Sequence, residues 1–364
     1  MKKGLLILWL FLLSVSTTEG RYQDMDTSET VAALLKEASD HLIVLPEKSV
    51  ELLSDNITTL SYATKNEQAQ WHYITLVATV RTSDLLALQQ TLLSLAELQT
   101  TQFYQSHSSV ILNGLGVWMR RSGYLEMAKM SYFCALEDAT LPIDKVRALS
   151  NLAVVERNLG HNTDAENVYQ SAMQLAKENE FDSYLAIIQN NLGILRLVNE
   201  QYSEALQYFS QSIENFQKID HRAGELLSGI NLLHVFLYLE DDLMFDRLDG
   251  RIVRMLKRSP AGSRTAYYNI LKAVQTARLQ PDKLESSIFT IKQNYALLDD
   301  VAIQKLLTPL VRQLGIDTEE LPPMVARTYN DEFLQLYASC NWQKYSDETY
   351  MSVLKSHSIE DINP

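Results

Sequence analysis

Asn151, Asn191 and Asn231 recur at intervals of 40 residues. A side-chain amide carries both donors and an acceptor. A row of amides at one repeating position can therefore clamp the backbone of an extended peptide without reading its side chains. On a helix, the residues four before, three after and seven after each Asn share its face. Around Asn151 these are Arg147, Val154 and Asn158; around Asn191 they are Ile187, Ile194 and Val198; around Asn231 they are Leu227, His234 and Tyr238. Arg121 takes the equivalent last place one copy earlier, where Gly114 stands in place of the Asn. Such a surface is basic at one end, amide-lined in the middle and apolar to aromatic at the other. It suits a peptide with one carboxylate and one hydrophobic end. The competing reading of the same residues is structural, with amides that bridge hairpins and arginines that pair with surface acids. The candidate ligand-binding residues are Arg121, Arg147, Asn151, Asn158, Asn191, Asn231, His234 and Tyr238.

Other chemistry is hard to assemble from this chain. Its seven histidines (41, 72, 107, 161, 221, 234 and 357) include no pair at helical metal-ligand spacing with a supporting acid. HExxH, a phosphate-binding glycine loop, GxSxG and CxxC are all missing from the sequence. Ser352 and Lys355 make an SxxK by spacing alone, and Asn56-Ile57-Thr58 is a glycosylation sequon, meaningful only in a eukaryotic secretory route. The acids Glu240, Asp241, Asp242 and Asp246 precede Arg251, Arg254, Lys257 and Arg258, the order a helix dipole favours on a solvated helix. We expect no catalytic residue, no metal, no cofactor and no enzymatic activity.

The elements that must position these residues are read from self-similarity. Leu115-Gly116, Ala128, Tyr132 and Ala135 return as Leu152-Ala153, Ala165, Tyr169 and Ala172, and again as Leu192-Gly193, Ala205, Phe209 and Ser212. In each copy the offsets from the Leu are 13, 17 and 20 residues. A Leu followed by a small residue lets two helices approach closely. A Gly or polar residue permits the turn, and the later small, aromatic and small residues form one face of the second helix. Degenerate copies flank these three: Trp71 and Ile74 with Ala87, Leu232 with Phe236, and Leu271 with Leu284, Ile288 and Ile291. Residues 28 to 66 hold a further hairpin, whose second helix opens at Pro46. This pattern resembles the tetratricopeptide repeat (TPR), in the longer variant of about 40 residues seen in bacterial peptide-sensing regulators and in the periplasmic halves of some bacterial signalling proteins. The resemblance implies an all-α, TPR-like superhelical solenoid of about seven helical hairpins with a C-terminal helical cap. It also implies that the first helices line a concave groove, where Asn151, Asn191 and Asn231 match the backbone-clamping position of peptide-binding relatives.

Composition agrees with this class. Twelve glycines and eight prolines in 364 residues are too few for a turn-rich β architecture. A hydrophobic content of 46% with 21% charged residues excludes a disordered chain. A net charge of -13 argues against a nucleic-acid partner. Lys2 and Lys3 precede the apolar run Gly4 to Val15, and small residues follow up to Gly20. That is the layout of a secretory signal peptide, and the run is too short for a spanning helix. The two cysteines, Cys134 and Cys340, are expected to be buried or idle thiols; an oxidising compartment would permit a bridge between them, for which spacing lends no support. Pro309 predicts a kink or boundary within a helical stretch. The expected organisation is a signal peptide over 1–20, a TPR-like array over 28–302, a C-terminal helical cap or docking segment over 303–355 rich in Tyr and Trp, and a polar tail over 356–364. The expected product is an exported, periplasmic protein, or failing that a secreted one, without a stable membrane span. It would bind a peptide or protein as the sensory or regulatory partner of a membrane-bound signalling protein. A structural adaptor for envelope assembly is the alternative, and a cell-wall enzyme carried on a helical superhelix is a more distant one.

Overall fold

Where the helices between residues 142 and 238 stop is set by a residue that turns the backbone into the left-handed region. Gly160 (φ +88°), Glu180 (+56°), Glu200 (+60°), Asp220 (+51°) and Glu240 (+54°) stand at intervals of 20 residues. After each, the next N–H reaches back five residues: His161 to Glu156, Phe181 to Ala176, Gln201 to Arg196, His221 to Phe216 and Asp241 to Phe236, at 2.8–3.0 Å. These bonds satisfy carbonyls that the helix end leaves unpaired. The 40-residue period is thus two helices of one 20-residue module each.

The computed structural model describes residues 18–42, 45–82, 84–257, 262–298 and 301–317, with 319, 321 and 340. The described residues form helices and no strand: α1 (Thr18–His41), α2 (Pro46–Asp55), α3 (Lys65–Thr82), α4 (Leu85–Ala96), α5 (Gln102–Arg121), α6 (Leu125–Glu137), α7 (Pro142–Leu159), α8 (Asn162–Glu178), α9 (Asp182–Val198), α10 (Tyr202–Lys218), α11 (Arg222–Tyr238), α12 (Asp242–Leu256), α13 (Ser263–Leu279), α14 (Leu284–Tyr295) and α15 (Val301–Gln313). The first fourteen follow one another as seven hairpins, the all-α TPR-like solenoid expected from the repeat. Residues 1–17 of the signal peptide expected over 1–20, the aromatic segment around Tyr329, Phe333, Tyr337, Trp342, Tyr345 and Tyr350, and the expected polar tail lie outside the described residues. None of the described helices is long and apolar enough to cross a membrane.

The chain divides into two compact units, with the break between Gly114 and Leu115 inside α5. In the first, α1, α2 and α3 pack on one another and α4 on α3, around Val31, Leu35, Leu53, Trp71 and Ile74. In the second, each helix from α6 to α11 packs on the next, and α13 on α14. Every position of the repeating signature lies in this second core: Leu115, Leu152 and Leu192, then Ala128, Ala165 and Ala205, then Tyr132, Tyr169 and Phe209 are fully buried. The small residue after each Leu is there because the aromatic presses on it. A Cβ on Gly116 would lie 2.5 Å from the Tyr132 ring, and one on Gly193 2.7 Å from Phe209.

Four of the five left-handed positions carry an acid, although an L side chain is strained there. Glu180 is exposed. Glu180→Gly should therefore stabilise the second unit by about 0.5–1 kcal/mol, after allowing for the freer unfolded chain. Gly160→Ala should cost about 1 kcal/mol. Urea unfolding followed by circular dichroism reads both, and equal midpoints for the Glu180 variant and wild type would refute the strain.

Two expectations are corrected. Cys134 and Cys340 are not idle thiols: they form a disulfide with a Cα–Cα distance of 5.5 Å, and both are buried. A separation of 206 residues hides such a pairing from any spacing rule. Of the kink or boundary expected at Pro309, the boundary is ruled out, since α15 continues through it to Gln313. The ring removes the N–H that would have bonded the Lys305 carbonyl and crowds that carbonyl.

Candidate functional site

The last turns of α7, α9 and α11 and one face of α15 line a half-open cavity of about 380 Å³. Asn158 and Arg157 come from the end of α7, Val198 and Glu200 from the end of α9 and its turn, Tyr202 from the start of α10, and Tyr238 from the end of α11. Lys305, Leu306, Pro309 and Gln313 face it from α15. The repeat explains the convergence. Helix ends spaced by two 20-residue modules fall at the same level of the wall, so their last-turn side chains project into one space.

Of the candidate residues, the cavity brings together Asn158 and Tyr238. Asn151 and Asn191 stand half-buried on α7 and α9. Asn231, only 2% exposed, is turned into the interior. Its Nδ2 donates to Asn190 Oδ1 at 2.9 Å, and Ser228 Oγ donates to the same oxygen at 3.0 Å. Ser228 Oγ lies 2.9 Å from Ser212 Oγ, and Ser212 Oγ donates to the Ala186 carbonyl at 2.7 Å. This buried network ties α9, α10 and α11 together, as the structural reading of the amides expected. Arg147 is likewise engaged: Nη1 pairs with Asp144 at 2.6 Å and Nε donates to the Tyr184 hydroxyl at 2.8 Å. Arg121 is half-buried at the end of α5, near the buried Tyr132, and lies outside the cavity lining.

His234 is fully buried behind Tyr238. A ladder of rings runs from the cavity into the core. Tyr202 stacks on Tyr238 (centroids 4.7 Å apart), Tyr238 stacks on His234 (5.3 Å), and Tyr267 meets His234 edge-on. His234 Nδ1 lies 2.6 Å from the Tyr267 hydroxyl. Burial holds the His234 imidazole down at about 3, so the ring is neutral at physiological pH. Burial also pushes the Tyr238 phenol up to about 12, with Tyr202 and the Glu200 charge adding to it. The ladder is uncharged, and Tyr202 and Tyr238 present it to the cavity.

Charge in the cavity is carried elsewhere. Arg157, a residue the helical-face argument passed over, is 8% exposed. Its Nη2 reaches Asn158 Oδ1 at 3.3 Å, while its Nη1 is buried with no hydrogen-bond partner among the described residues. The sequence signal was available: Arg120 and Arg157 share one offset from the Leu of successive copies. Lys305 could not have been found this way, because it arrives from a helix more than 100 residues downstream.

A second cluster of ionisable groups is structural. Glu156, His161 and Asp164 present ligand atoms within 4.8 Å of one another. The Glu156 carboxylate is fully buried, and Lys129 (3.0 Å) and His161 Nδ1 (2.8 Å) already hold it. A buried carboxylate so partnered ties α6 to the α7–α8 turn.

A family model for the tetratricopeptide repeat matches residues 144–218. No curated protein matches the chain significantly. Among solved structures, the chain is similar to a Rap protein crystallised in complex with Competence and Sporulation Factor, at 15% identity and a TM-score of 0.64 over 93% of this chain and 91% of that one. It is also similar to aspartyl phosphate phosphatase F from Bacillus subtilis, at 11% identity and a TM-score of 0.51 over 88% of each chain. Identities this low speak for a shared helical-repeat fold.

Proposed function

We propose that this tetratricopeptide-type repeat protein is an exported, non-enzymatic binding protein that holds a peptide, or an extended segment of a partner protein, against the inner helices of its repeats. It acts as the sensory or regulatory partner of a membrane signalling protein. The observation that carries the reading is the cavity where α7, α9, α11 and α15 meet, walled by stacked tyrosines and amides with a cation beneath them. Repeat arrays of this kind use such inner surfaces for binding. The structural neighbour bound to a factor supports a ligand-holding role. Two features support export: the leader-like composition of residues 1–20, and a disulfide of the kind that persists in oxidising compartments.

The test is a pull-down from envelope extract with the wild type and an Asn151→Ala, Asn158→Ala, Asn191→Ala variant, read by mass spectrometry. Asn231 is left intact because its amide belongs to the buried network. Each lost neutral hydrogen bond is worth about 0.5–1.5 kcal/mol, a factor of roughly 2–12 in affinity. Once the variant is shown to be folded by its melting curve, it should lose the partners; recovery of the same partners would remove the inner face from consideration. The same purified material reports its own N-terminus. A start between Thr17 and Tyr22 is expected, and an intact Met1 on cytosolic protein would end the export reading.

A further inference from the structure

We propose that the cavity is a receptor for the C-terminal residue of a peptide, with the terminal carboxylate on Arg157 and Lys305 and an aromatic side chain on the Tyr202–Tyr238 stack. The inference rests on the peptide-binding reading and specifies which part of the peptide is read.

Arg157 supplies the first argument. Two other inward arginines have carboxylates of their own. Arg196 is held between Glu166 and Glu204 (2.8 Å to the latter), and Arg278 pairs with Asp242. Arg157 is buried to the same depth as Arg196, yet among the described residues no carboxylate pairs with it, and its Nη1 has no acceptor. A guanidinium withdrawn from water without a counter-charge is costly. One that also lines a cavity is preorganised for an anion with two oxygens. Lys305 faces the same space from α15 with no acid paired to it among the described residues. A second positive charge favours a full carboxylate over a neutral carbonyl.

The walls supply the second argument. Tyr202 and Tyr238 are near-parallel, 10° apart, and both line the cavity, so a planar ring can extend the stack. Ile194, Val198, Leu306 and Pro309 close the apolar part. A volume of about 380 Å³ lies at the lower end of ligand-holding pockets, about two residues of a peptide. Glu200, the one acid of the lining, disfavours a second carboxylate and leaves a single negative charge as the best complement.

The test is calorimetric titration of the full-length oxidised protein with four probes: Ala-Ala-Ala-Phe as the free acid, the same peptide as its C-terminal amide, Ala-Ala-Ala-Ala as the acid, and free phenylalanine. The acid should bind at least tenfold more tightly than the amide and than the all-alanine peptide, and its affinity should fall with added salt. Arg157→Gln should abolish the preference for acid over amide. Because Arg157 is buried, Lys305→Gln at an exposed position serves as the second variant and should weaken the acid several-fold with an unchanged melting curve. Equal binding of acid and amide overturns the proposal, as does failure of all probes, or free phenylalanine binding as tightly as the peptide. Peptides captured in the pull-down that bind Arg157→Gln as well as wild type would leave the peptide-binding reading standing and remove this one.

Discussion

Reducing the Cys134–Cys340 disulfide, or replacing Cys134 by Ala, should lower the stability of the second unit by about 3–5 kcal/mol. The bond closes a loop of 206 residues. In the chain-entropy account a loop of that length restricts the unfolded ensemble by about 5 kcal/mol, and imperfect realisation of that limit lowers the expectation. The Cα–Cα distance of 5.5 Å is ordinary for a disulfide, so no backbone movement is needed to form it. Urea unfolding should give the same lowered midpoint for reduced wild type, Cys134→Ala and Cys340→Ala. The reductant should act slowly on the folded protein, because both cysteines are buried. Coincident midpoints with and without reductant would show that the pair adds nothing. Protein taken from an oxidising compartment should contain no thiol that reacts after denaturation.

Leu192→Ala should cost about 2–5 kcal/mol. Leu192 is fully buried in the hairpin of α9 and α10, beside Gly193, on which the Phe209 ring presses. The neighbouring helices cannot collapse into the space, because that ring already closes the approach. In a repeat array the loss is felt first by the hairpin and its two neighbours, so amide exchange should accelerate in α9 and α10 before α14. A cost below 0.5 kcal/mol in urea would mean that Leu192 is not the pivot of its repeat.

The fold was largely legible because its repeating offsets are packing contacts. A Leu, a small residue and an aromatic at fixed spacing leave few ways for two helices to meet, and all these positions are buried. The turns were only partly legible. Gly160 announces its left-handed backbone, but Glu180, Glu200, Asp220 and Glu240 are forced into it by the helices on either side. The site was less legible still. Asn151, Asn191 and Asn231 share one offset, yet Asn231 has Asn190 and Ser228 beneath it and is drawn into a buried network. Asn158 and Tyr238 fell in the cavity lining, whereas Arg157 and Lys305 did not come from the face considered, because a cavity gathers side chains from helix ends and from α15. The disulfide was invisible for the same reason: its partners meet only through tertiary structure.

The covalent link also sets how the molecule bears load. A force applied to the two chain ends passes from α6 through the sulfur pair to residue 340 and bypasses everything between. About 700 Å of contour, at 3.3–3.6 Å per residue, is thereby shielded from stretching while the bond is intact. A protease cut anywhere inside the loop would leave both fragments on one covalent thread. The whole run from α7 to α15 lies inside this closed circuit.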